Sequence, residues 1–189
     1  IILFMPTFRS STKLNRHDTD SALPILNESN IMELDLLLQS LNQILVIKPH
    51  PAQNDISILG NRYNNIMIVK NNDLDRHNIN LYELLGQSDA LISDFSSVYF
   101  DYLLLDKPIG FTIEDIDKYG DNRGFTVDDP LSIMPGPKIK NFDDLKLFLI
   151  DLNKSNDQFI DERKRVRALT NEYCEGNARE RITDFVGII

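Results

Sequence analysis

Three short polar segments of the sequence carry side chains that are suited to binding a phosphate group. They lie at residues 6–12, 48–51 and 94–97, and the side chains are those of Thr7, Arg9, Lys48, His50, Asp94, Ser96 and Ser97. Arginine can contact two phosphate oxygens at once, lysine supplies a point charge, and hydroxyl groups donate hydrogen bonds. Histidine can accept or donate a proton near neutral pH. Together these residue types predict a site for a phosphate-containing ligand.

Ser96 and Ser97 stand where a predicted strand turns into a predicted helix. The first turn of a helix offers unpaired N–H groups to an anion, and two hydroxyls add donors without adding bulk. The competing interpretation is that both serines only cap the helix, since serine is among the preferred capping residues. Asp94 repels phosphate and is better suited to orienting a loop or binding a ribose hydroxyl.

His50 is flanked by Pro49 and Pro51, whose fixed φ angles stiffen the loop and place the imidazole. It could act as a general base or as a donor to phosphate, or it could simply bond a neighbouring backbone group. Arg9 and Lys48 supply positive charge at the same predicted edge, although each alone would pass for an ordinary surface residue. His17 and His77 lie in polar loop sequence and are assigned no role.

The elements that must position these segments are short apolar runs alternating with amphipathic stretches. We predict strands at residues 2–5, 44–47, 66–69, 90–93 and 108–111, nearly continuous in apolar residues as strands covered on both faces should be. Ligands of open parallel α/β sheets bind beyond the carboxyl ends of the strands. The three polar segments follow the first, second and fourth predicted strands, so we expect them to face one crevice.

Helical spacing of apolar residues predicts the intervening and following helices. One helix follows Asn30, a second runs from Asn80 to an end at Gly86, and a third covers about residues 97–105. From about residue 141 the pattern indicates helices only, and residues 115–137 are predicted to be mostly loop. We therefore expect a single domain over 1–189, with an α/β core over about 1–140 and a helical tail over about 141–189 packed on it.

Composition and motifs exclude several classes of protein. The chain has 189 residues and a formal charge of −9, which disfavours a nucleic-acid partner because phosphate backbones attract concentrated positive charge. Cys174 is the single cysteine, so neither an intrachain disulfide nor a cysteine metal cluster is expected. The sequence lacks GxxxxGK[ST], GxGxxG and HExxH, which argues against nucleoside triphosphatases, dinucleotide oxidoreductases and zinc proteases. We predict no metal and no cofactor.

The sequence gives no sign of membrane insertion, since its apolar runs fall far short of the roughly 20 residues that span a bilayer. The apolar start at Ile1 lacks the basic region and cleavage site of a signal peptide. A chain that begins directly on a strand, without methionine, suggests a fragment, and the lone cysteine fits a reducing compartment.

The residues considered together resemble the C-terminal half of the CDP-glycerol:poly(glycerophosphate) glycerophosphotransferases, the teichoic-acid primase and polymerase family. The resemblance spans almost the whole chain. It is carried by Pro-Thr-Phe-Arg at residues 6–9, Lys-Pro-His-Pro at 48–51, the segment 88–102 with Asp-Phe-Ser-Ser-Val at its centre, Asp-Lys-Pro-Ile at 106–109, Gly-Phe at 124–125, Met-Pro-Gly-Pro at 134–137 and Tyr-Cys-Glu-Gly-Asn-Ala at 173–178.

The resemblance implies a Rossmann-like α/β fold, the donor-binding C-terminal domain of a GT-B-type transferase. It implies that an acceptor hydroxyl attacks the phosphate of a CDP-alditol, either CDP-glycerol or CDP-ribitol, and that CMP leaves. The acceptor would be a polyol-phosphate or glycan on a lipid carrier, an N-terminal domain of the same protein would be missing, and the full-length enzyme would work at the cytoplasmic face of the membrane. The chain alone is then expected to bind donor but to transfer it poorly.

On this resemblance Ser96 and Ser97 hold the diphosphate, Thr7 and Arg9 assist, and His50 acts at the reacting phosphate as base or electrostatic contact. Lys48 and Asp94 complete the expected donor-binding set. Two other functions stay open: the donor domain of a GT-B glycosyltransferase that uses another nucleotide sugar, and a non-catalytic α/β module that binds a protein or a small anion.

Overall fold

The fold is built on a six-stranded, entirely parallel sheet. The computed structural model describes residues 1–18, 23–53, 56 and 63–187. The strand order is β5-β4-β1-β6-β7-β8, and β2 and β3 pair in a separate antiparallel hairpin. The strands are β1 (Ile2–Phe4), β2 (Ser10–Ser11), β3 (Arg16–His17), β4 (Leu45–Ile47), β5 (Ile66–Ile68), β6 (Ala90–Ser93), β7 (Ile109–Thr112) and β8 (Lys138–Ile139).

The central strand β1 shows why these sequences form a doubly covered sheet. Leu3 pairs with Val46 on one side and with Leu91 on the other, so the strand has neighbours on both edges. Its residues alternate between faces, and all three are buried: Ile2 and Phe4 belong to one apolar core and Leu3 to the other. A strand with apolar cores on both faces must be apolar at every position, which confirms the predicted α/β class with a parallel sheet.

Helices cover both faces of the sheet. They are α1 (Ile31–Ser40), α2 (Asn71–Arg76), α3 (Leu81–Gln87), α4 (Val98–Tyr102) with a 3₁₀ turn at Leu103–Leu105, α5 (Ile116–Arg123), α6 (Phe142–Asn153), α7 (Ile160–Thr170) and α8 (Ala178–Val186), with a further 3₁₀ turn at Pro130–Ile133. The α1 and α6 helices contribute to the core that contains Ile2 and Phe4, whereas α4 and Val166 of α7 contribute to the other.

All five predicted strands and the predicted helices of the core and tail are present, to within two residues at most ends. The α3 helix continues through Gly86 to Gln87, so the glycine lies inside the last turn instead of ending the helix. Its start is as predicted, because Asn80 accepts a hydrogen bond from the Glu83 backbone N–H while the Glu83 carboxylate accepts one from Asn80 N–H.

The prediction that residues 115–137 are mostly loop is wrong for α5. That helix has no buried residue and carries Gly120 in its interior, so it shows no apolar stripe from which a helix is predicted. The short elements α2, β2, β3 and β8 were also not predicted. They run for six residues or fewer, too short to display a period.

The helical tail meets the core through α6 and α7. Leu145, Phe148 and Leu149 of α6 are buried, and so are Arg163 and Val166 of α7. The α8 helix has no buried residue, so the contact between tail and core runs through the two preceding helices. Among the described residues, no helix is long and apolar enough to cross a membrane.

Gly136 packs its Cα against the edge of the sheet, and we predict that Gly136→Ala unfolds the protein at lower temperature. An added Cβ would lie 1.8 Å from the backbone oxygen of Ile109, which cannot move aside without breaking the β7 ladder. Overpacking of this kind costs about 3 kcal/mol or more, equivalent to a fall in Tm of roughly 6–12 °C for a chain of this size.

The matched control is Gly86→Ala, whose added Cβ meets nothing within 4 Å. Alanine is favoured over glycine in a helix by up to about 1 kcal/mol, so this variant should keep or raise Tm. Equal Tm values for the two alanine variants in calorimetry would contradict the close approach at Gly136.

Candidate functional site

The three predicted polar segments meet at the carboxyl edge of the sheet. The first follows β1, the second follows β4 and the third follows β6, and these strands are neighbours in the order β4-β1-β6. The predicted site residues form two groups at this edge, which differ in their exposure to solvent. A buried network contains Thr7, Arg9 and Asp94, and an open cleft is lined by Lys48, His50, Ser96 and Ser97.

Asp94 is the centre of the buried network. It is 0% exposed, and its carboxylate accepts hydrogen bonds from Thr7 N at 3.0 Å, from Thr7 Oγ1 at 2.9 Å and from Ser96 N at 3.1 Å. Arg9 Nη1 lies 2.8 Å from Asp94 Oδ2. One carboxylate therefore ties the loop after β1 to the turn after β6 and fixes the backbone of Ser96.

Arg9 completes this network and has no free face. It is 1% exposed, its Nε and Nη2 donate to the two carboxylate oxygens of Asp115 at 2.7 and 3.1 Å, and its Cζ lies 5.7 Å from the ring centroids of both Phe95 and Tyr119. Burial opposes the charged form, but the carboxylates of Asp94 and Asp115 outweigh it and raise the pKa of Arg9. The guanidinium is thus permanently charged and fully occupied by protein groups.

The cleft beside this network has a volume of about 590 Å³. Met5 and Pro6 line it at the end of β1, and the other walls come from the Lys48 loop, the start of α4, and the α2 and α3 region. Cavities of roughly 300–1,000 Å³ hold cofactor-sized ligands. The cleft therefore has the size and position expected of a ligand site in a parallel α/β sheet.

Lys48 presents a buried positive charge to the cleft. It is 5% exposed, and its Nζ donates to Asn71 Oδ1 at 2.5 Å and to Pro49 O at 3.3 Å. Within the part of the chain that the structure describes, no carboxylate lies within salt-bridge distance of this ammonium. Burial accordingly lowers the pKa of Lys48. An anion entering the cleft would supply the missing negative charge.

His50 is exposed at the rim of the cleft, and its backbone oxygen closes a turn by accepting from Gln53 N at 2.9 Å. The Nδ1 atom accepts a hydrogen bond from Ala52 N at 3.1 Å, so the neutral imidazole carries its proton on Nε2. Its ring lies 5.1 Å from that of Phe8. Partial burial of the ring, then the positive charges of Lys48 and Arg123, lower the pKa of His50 and so favour its neutral form.

Ser96 and Ser97 precede α4, and their side chains do little capping. Ser97 is the N-cap residue, but its side chain makes no capping bond, and Ser96 Oγ accepts from Val98 N only at 3.5 Å. The capping interpretation therefore does not account for both hydroxyls. With α4 only five residues long, its dipole is small, and the hydroxyls matter more than the helix end.

The structure thus divides the predicted site residues. Lys48, His50, Ser96 and Ser97 line one cleft, while Thr7, Arg9 and Asp94 lie behind it with their polar groups engaged by one another. Direct contact of these three with a donor stays a prediction. Among the described residues, no group of three His, Cys, Asp or Glu side chains is placed to hold a metal ion.

Sequence reasoning missed the cleft residues contributed by α2 and by the start of α3. It also missed two carboxylates that bind arginines beside the site: Asp115, the partner of Arg9, and Asp18, the partner of Arg123. The missed cleft residues include Asn71, Leu74, Asp75, Ile79 and Leu81. The α2 segment was not predicted as an element, which hid its part in the site. Asp115 follows Glu114 beyond the end of β7, so the rule that located the other clusters could have found it.

The parallel sheet with a ligand cleft at its carboxyl edge defines a Rossmann-like α/β domain. The sequence model of the CDP-glycerol:poly(glycerophosphate) glycerophosphotransferase family matches residues 1–187. A teichoic acid glycerol-phosphate primase of Bacillus subtilis is 32% identical over 188 residues, which cover 98% of this chain and 43% of the primase. A teichoic acid ribitol-phosphate primase of Bacillus spizizenii is 28% identical over 189 residues.

Solved structures agree with the sequence matches. A structure of the wall teichoic acid polymerase TagF superposes with a TM-score of 0.66 at 25% identity, covering 98% of this chain and 43% of the polymerase chain. A variant of TagF soaked with CDPG superposes with a TM-score of 0.67 at 26% identity. This chain belongs to the CDP-glycerol:poly(glycerophosphate) glycerophosphotransferase family. It spans less than half the length of these primase and polymerase relatives.

The Arg9 network predicts a large loss of stability in Arg9→Met. The substitution leaves Asp94 and Asp115 buried without their shared cation, and breaking a buried ion pair from one side costs about 3–5 kcal/mol. Urea denaturation should show this as a lower midpoint. Arg76→Met removes a 75% exposed arginine that lies 3.7 Å from Asp73, and should leave the midpoint unchanged. A wild-type midpoint for Arg9→Met would mean that the network does not hold the loops.

Proposed function

We propose that this chain binds a CDP-alditol, CDP-glycerol or CDP-ribitol, as the donor of a glycerophosphotransferase-type reaction. The observation that carries the proposal is the buried ammonium of Lys48, which faces a cleft shared with His50, Ser96 and Ser97 and has no carboxylate partner among the described residues. Family membership over 1–187 supports the choice of a phosphate-linked donor. The anionic diphosphate would supply the charge that Lys48 lacks.

Charge explains why the phosphate contact must be local. A protein with a formal charge of −9 repels an anionic donor at long range, so the attraction has to come from within the cleft. A lysine desolvated by burial binds an anion more strongly than an exposed lysine because the surrounding dielectric is lower. The Ser96 and Ser97 hydroxyls add neutral donors around the same anion.

The rest of the cleft suits a nucleoside. Leu74, Ile79 and Leu81 provide apolar surface for a base, and the walls between them carry Asn71, Asp75, Asn80 and Asp101. Carboxylate and amide groups accept hydrogen bonds from ribose hydroxyls and from the exocyclic amine of cytosine. A small number of polar groups among apolar ones is the usual composition of a site that orients its ligand.

In the proposed reaction an acceptor hydroxyl oxygen forms a bond to the phosphorus that bears the alditol. The bond from that phosphorus to the oxygen shared with CMP breaks, CMP leaves with the bonding electron pair, and the hydroxyl proton passes to a base. Catalysis of such a transfer rests on positioning and on stabilising the charge of the phosphate oxygens. In this proposal Lys48 and the two serines position the phosphate and stabilise its charge.

His50 acts in this reaction as a hydrogen-bond donor. Because Nδ1 is occupied by Ala52 N–H, the neutral ring has Nε2–H available and no second lone pair in its plane with which to remove the acceptor proton. Donation to a phosphate oxygen stabilises charge that grows as the bond to CMP lengthens. This reading favours the electrostatic role of His50 over the role of general base.

The remaining parts of the proposal concern the whole protein. We propose that a further N-terminal domain supplies the acceptor side, which is consistent with a chain that spans 43% of its primase relative. The acceptor is a polyol-phosphate or glycan on a lipid carrier, and the complete two-domain GT-B-type enzyme works peripherally at the cytoplasmic face of the membrane.

Ligand-dependent unfolding tests donor binding by this chain. CDP-glycerol, CDP-ribitol and CMP should raise Tm, whereas UDP-N-acetylglucosamine and inorganic phosphate should do so less at matched concentrations. At 100 times Kd the stabilisation is about 2.7 kcal/mol, or roughly 5–10 °C for a chain of this size.

The combined Ser96→Ala and Ser97→Ala variant serves as the control, because it should keep its Tm without ligand and lose most of the shift. A larger shift with the uridine ligand would favour another nucleotide-sugar transferase. No shift with any nucleotide would favour a non-catalytic module.

Two substitutions at His50 separate a donor from a base in the full-length transferase. His50→Ala should leave Tm unchanged, since the side chain is exposed, and should lower kcat by roughly 10²–10³-fold, the cost of losing one transition-state donor. His50→Gln retains an N–H donor near the position of Nε2 and should recover part of that loss. If the glutamine variant were as inactive as the alanine variant while both stayed folded, His50 would be assigned as the base.

A further inference from the structure

Arg123, the last residue of α5, lies next to the site without lining the cleft. Its side chain is 11% exposed, its Nε donates to Asp18 Oδ2 at 2.9 Å, and its Nη2 donates to the backbone oxygen of Phe8 at 2.7 Å. Its Cζ lies 4.2 Å from the ring centroid of Phe8 and 5.2 Å from that of Tyr119. Its Nε and Nη2 donors are engaged by the protein and two aromatic rings lie close to its guanidinium, so most of the binding capacity of this arginine is used within the fold.

Phe8 connects Arg123 to His50. The Phe8 ring lies against the Arg123 guanidinium, and its centroid is also 5.1 Å from that of the His50 ring, at an interplanar angle of 39°. Arg123 holds both the ring and the carbonyl of Phe8, so it fixes this residue at two points. Among the described residues, the Phe8 ring and the hydrogen bond from Ala52 N are contacts that limit how the exposed imidazole of His50 turns.

Arg123 also acts on His50 through its positive charge. The cations that affect His50 are Lys48, on the loop before it, and Arg123, on α5. After partial burial of the ring, these two charges lower the pKa of His50, and Asp18 is the carboxylate paired with Arg123. The neutral form of the imidazole is therefore favoured by the same arginine that holds its aromatic neighbour.

We propose that Arg123 is a positioning residue for His50, acting through the ring and carbonyl of Phe8 so that the imidazole keeps one orientation at the cleft. The inference rests on the proposed function of His50 but concerns a residue that contacts neither the cleft nor the donor. It assigns α5 a role in the site, although the helix has no buried residue and showed no sequence signal.

A purely structural role is the alternative, because Arg123 also attaches α5 to the loop after β1. Arg163 of α7 offers a matched comparison. It too is a buried arginine, 2% exposed, that donates to a carboxylate, with Nη1 at 2.9 Å and Nη2 at 2.6 Å from the two oxygens of Asp157. It also contacts Asp106, which precedes β7 at the amino edge of the sheet, whereas His50 follows β4 at the carboxyl edge.

The test follows the imidazole C–H signals of this chain by NMR, without ligand. The sequence has three histidines, and His50→Ala assigns the signal of His50 while His77 serves as the internal reference. The ring current of an aromatic side chain changes the chemical shift of a nearby proton. The Phe8→Leu variant therefore gives the chemical shift of the His50 signal when that ring is absent.

In Arg123→Gln we expect the His50 signal to move more than halfway from its wild-type position to its position in Phe8→Leu. Its titration midpoint should rise, because a positive charge that opposed protonation is gone, and His77 should not change. If loss of the ion pair to Asp18 prevents folding, the double variant with Asp18→Asn, which also removes the carboxylate charge, is measured instead. A His50 signal and midpoint that stay at the wild-type values in the folded variant would overturn the proposal.

Arg163→Gln should lower Tm and leave both His50 readouts unchanged. If it moves them as much as Arg123→Gln does, the effect is a general loosening of the fold and the positioning role is wrong.

Adding CDP-glycerol separates this inference from the proposed function. Weaker binding by Arg123→Gln, by about threefold to tenfold as for a partly lost hydrogen bond, supports both. An absence of binding by the wild type rejects the proposed function, whereas the ligand-free NMR result still decides the role of Arg123.

Discussion

The buried ion pair between Arg9 and Asp94 is the interaction on which the site depends. Parallel strands end at one edge of a sheet, but nothing in strand pairing alone fixes the loops that follow them. Here one carboxylate bonds the loop after β1 and the turn after β6, and one guanidinium joins that carboxylate to Asp115 beyond β7. Because breaking a buried pair from one side leaves an uncompensated charge, the three loops are held in a single arrangement. The cleft is the space left beside that arrangement.

The arginine and lysine side chains around the site have different roles, which follow from the chemistry of their charged groups. Arginine has a planar fork of donors and stacks on aromatic rings, which suits Arg9 and Arg123 to bind carboxylates, carbonyls and the rings of Phe95, Phe8 and Tyr119. Lysine is a point charge on a flexible stem. Among the described residues, the Lys48 ammonium donates to neutral oxygens of Asn71 and Pro49, and no carboxylate there neutralises its charge. In this acidic protein the two arginines therefore hold the loops around the site together, and the lysine lines the cleft.

Much of the fold could be predicted from the sequence, because strands such as β1 and β4 are buried on both faces and therefore apolar throughout. The α5 helix could not, since it buries no side chain and leaves no apolar period. The carboxyl-edge rule located the polar segments of the site. It could not show that Arg9 is enclosed by carboxylates whereas Lys48 faces the cleft. That difference depends in part on Asp115, which lies more than 100 positions away from Arg9 in the sequence. Nor could it distinguish the base and donor roles of His50, which depend on one backbone N–H of Ala52.

The tautomer of His50 has a consequence for the proposed reaction as a whole. If Nε2–H donates to the phosphate, the acceptor hydroxyl must give its proton to another group. Phosphoryl transfer commonly passes through a loose transition state, in which bond breaking to the leaving group runs ahead of bond formation and the attacking hydroxyl keeps its proton until late. Early charge development then lies on the phosphate and on CMP, which Lys48, His50 and the two serines contact in the proposed reaction. The base acts on the side of the phosphorus away from CMP, where the acceptor arrives. A cleft that holds the leaving nucleotide can therefore be complete for its half of the reaction without containing that base.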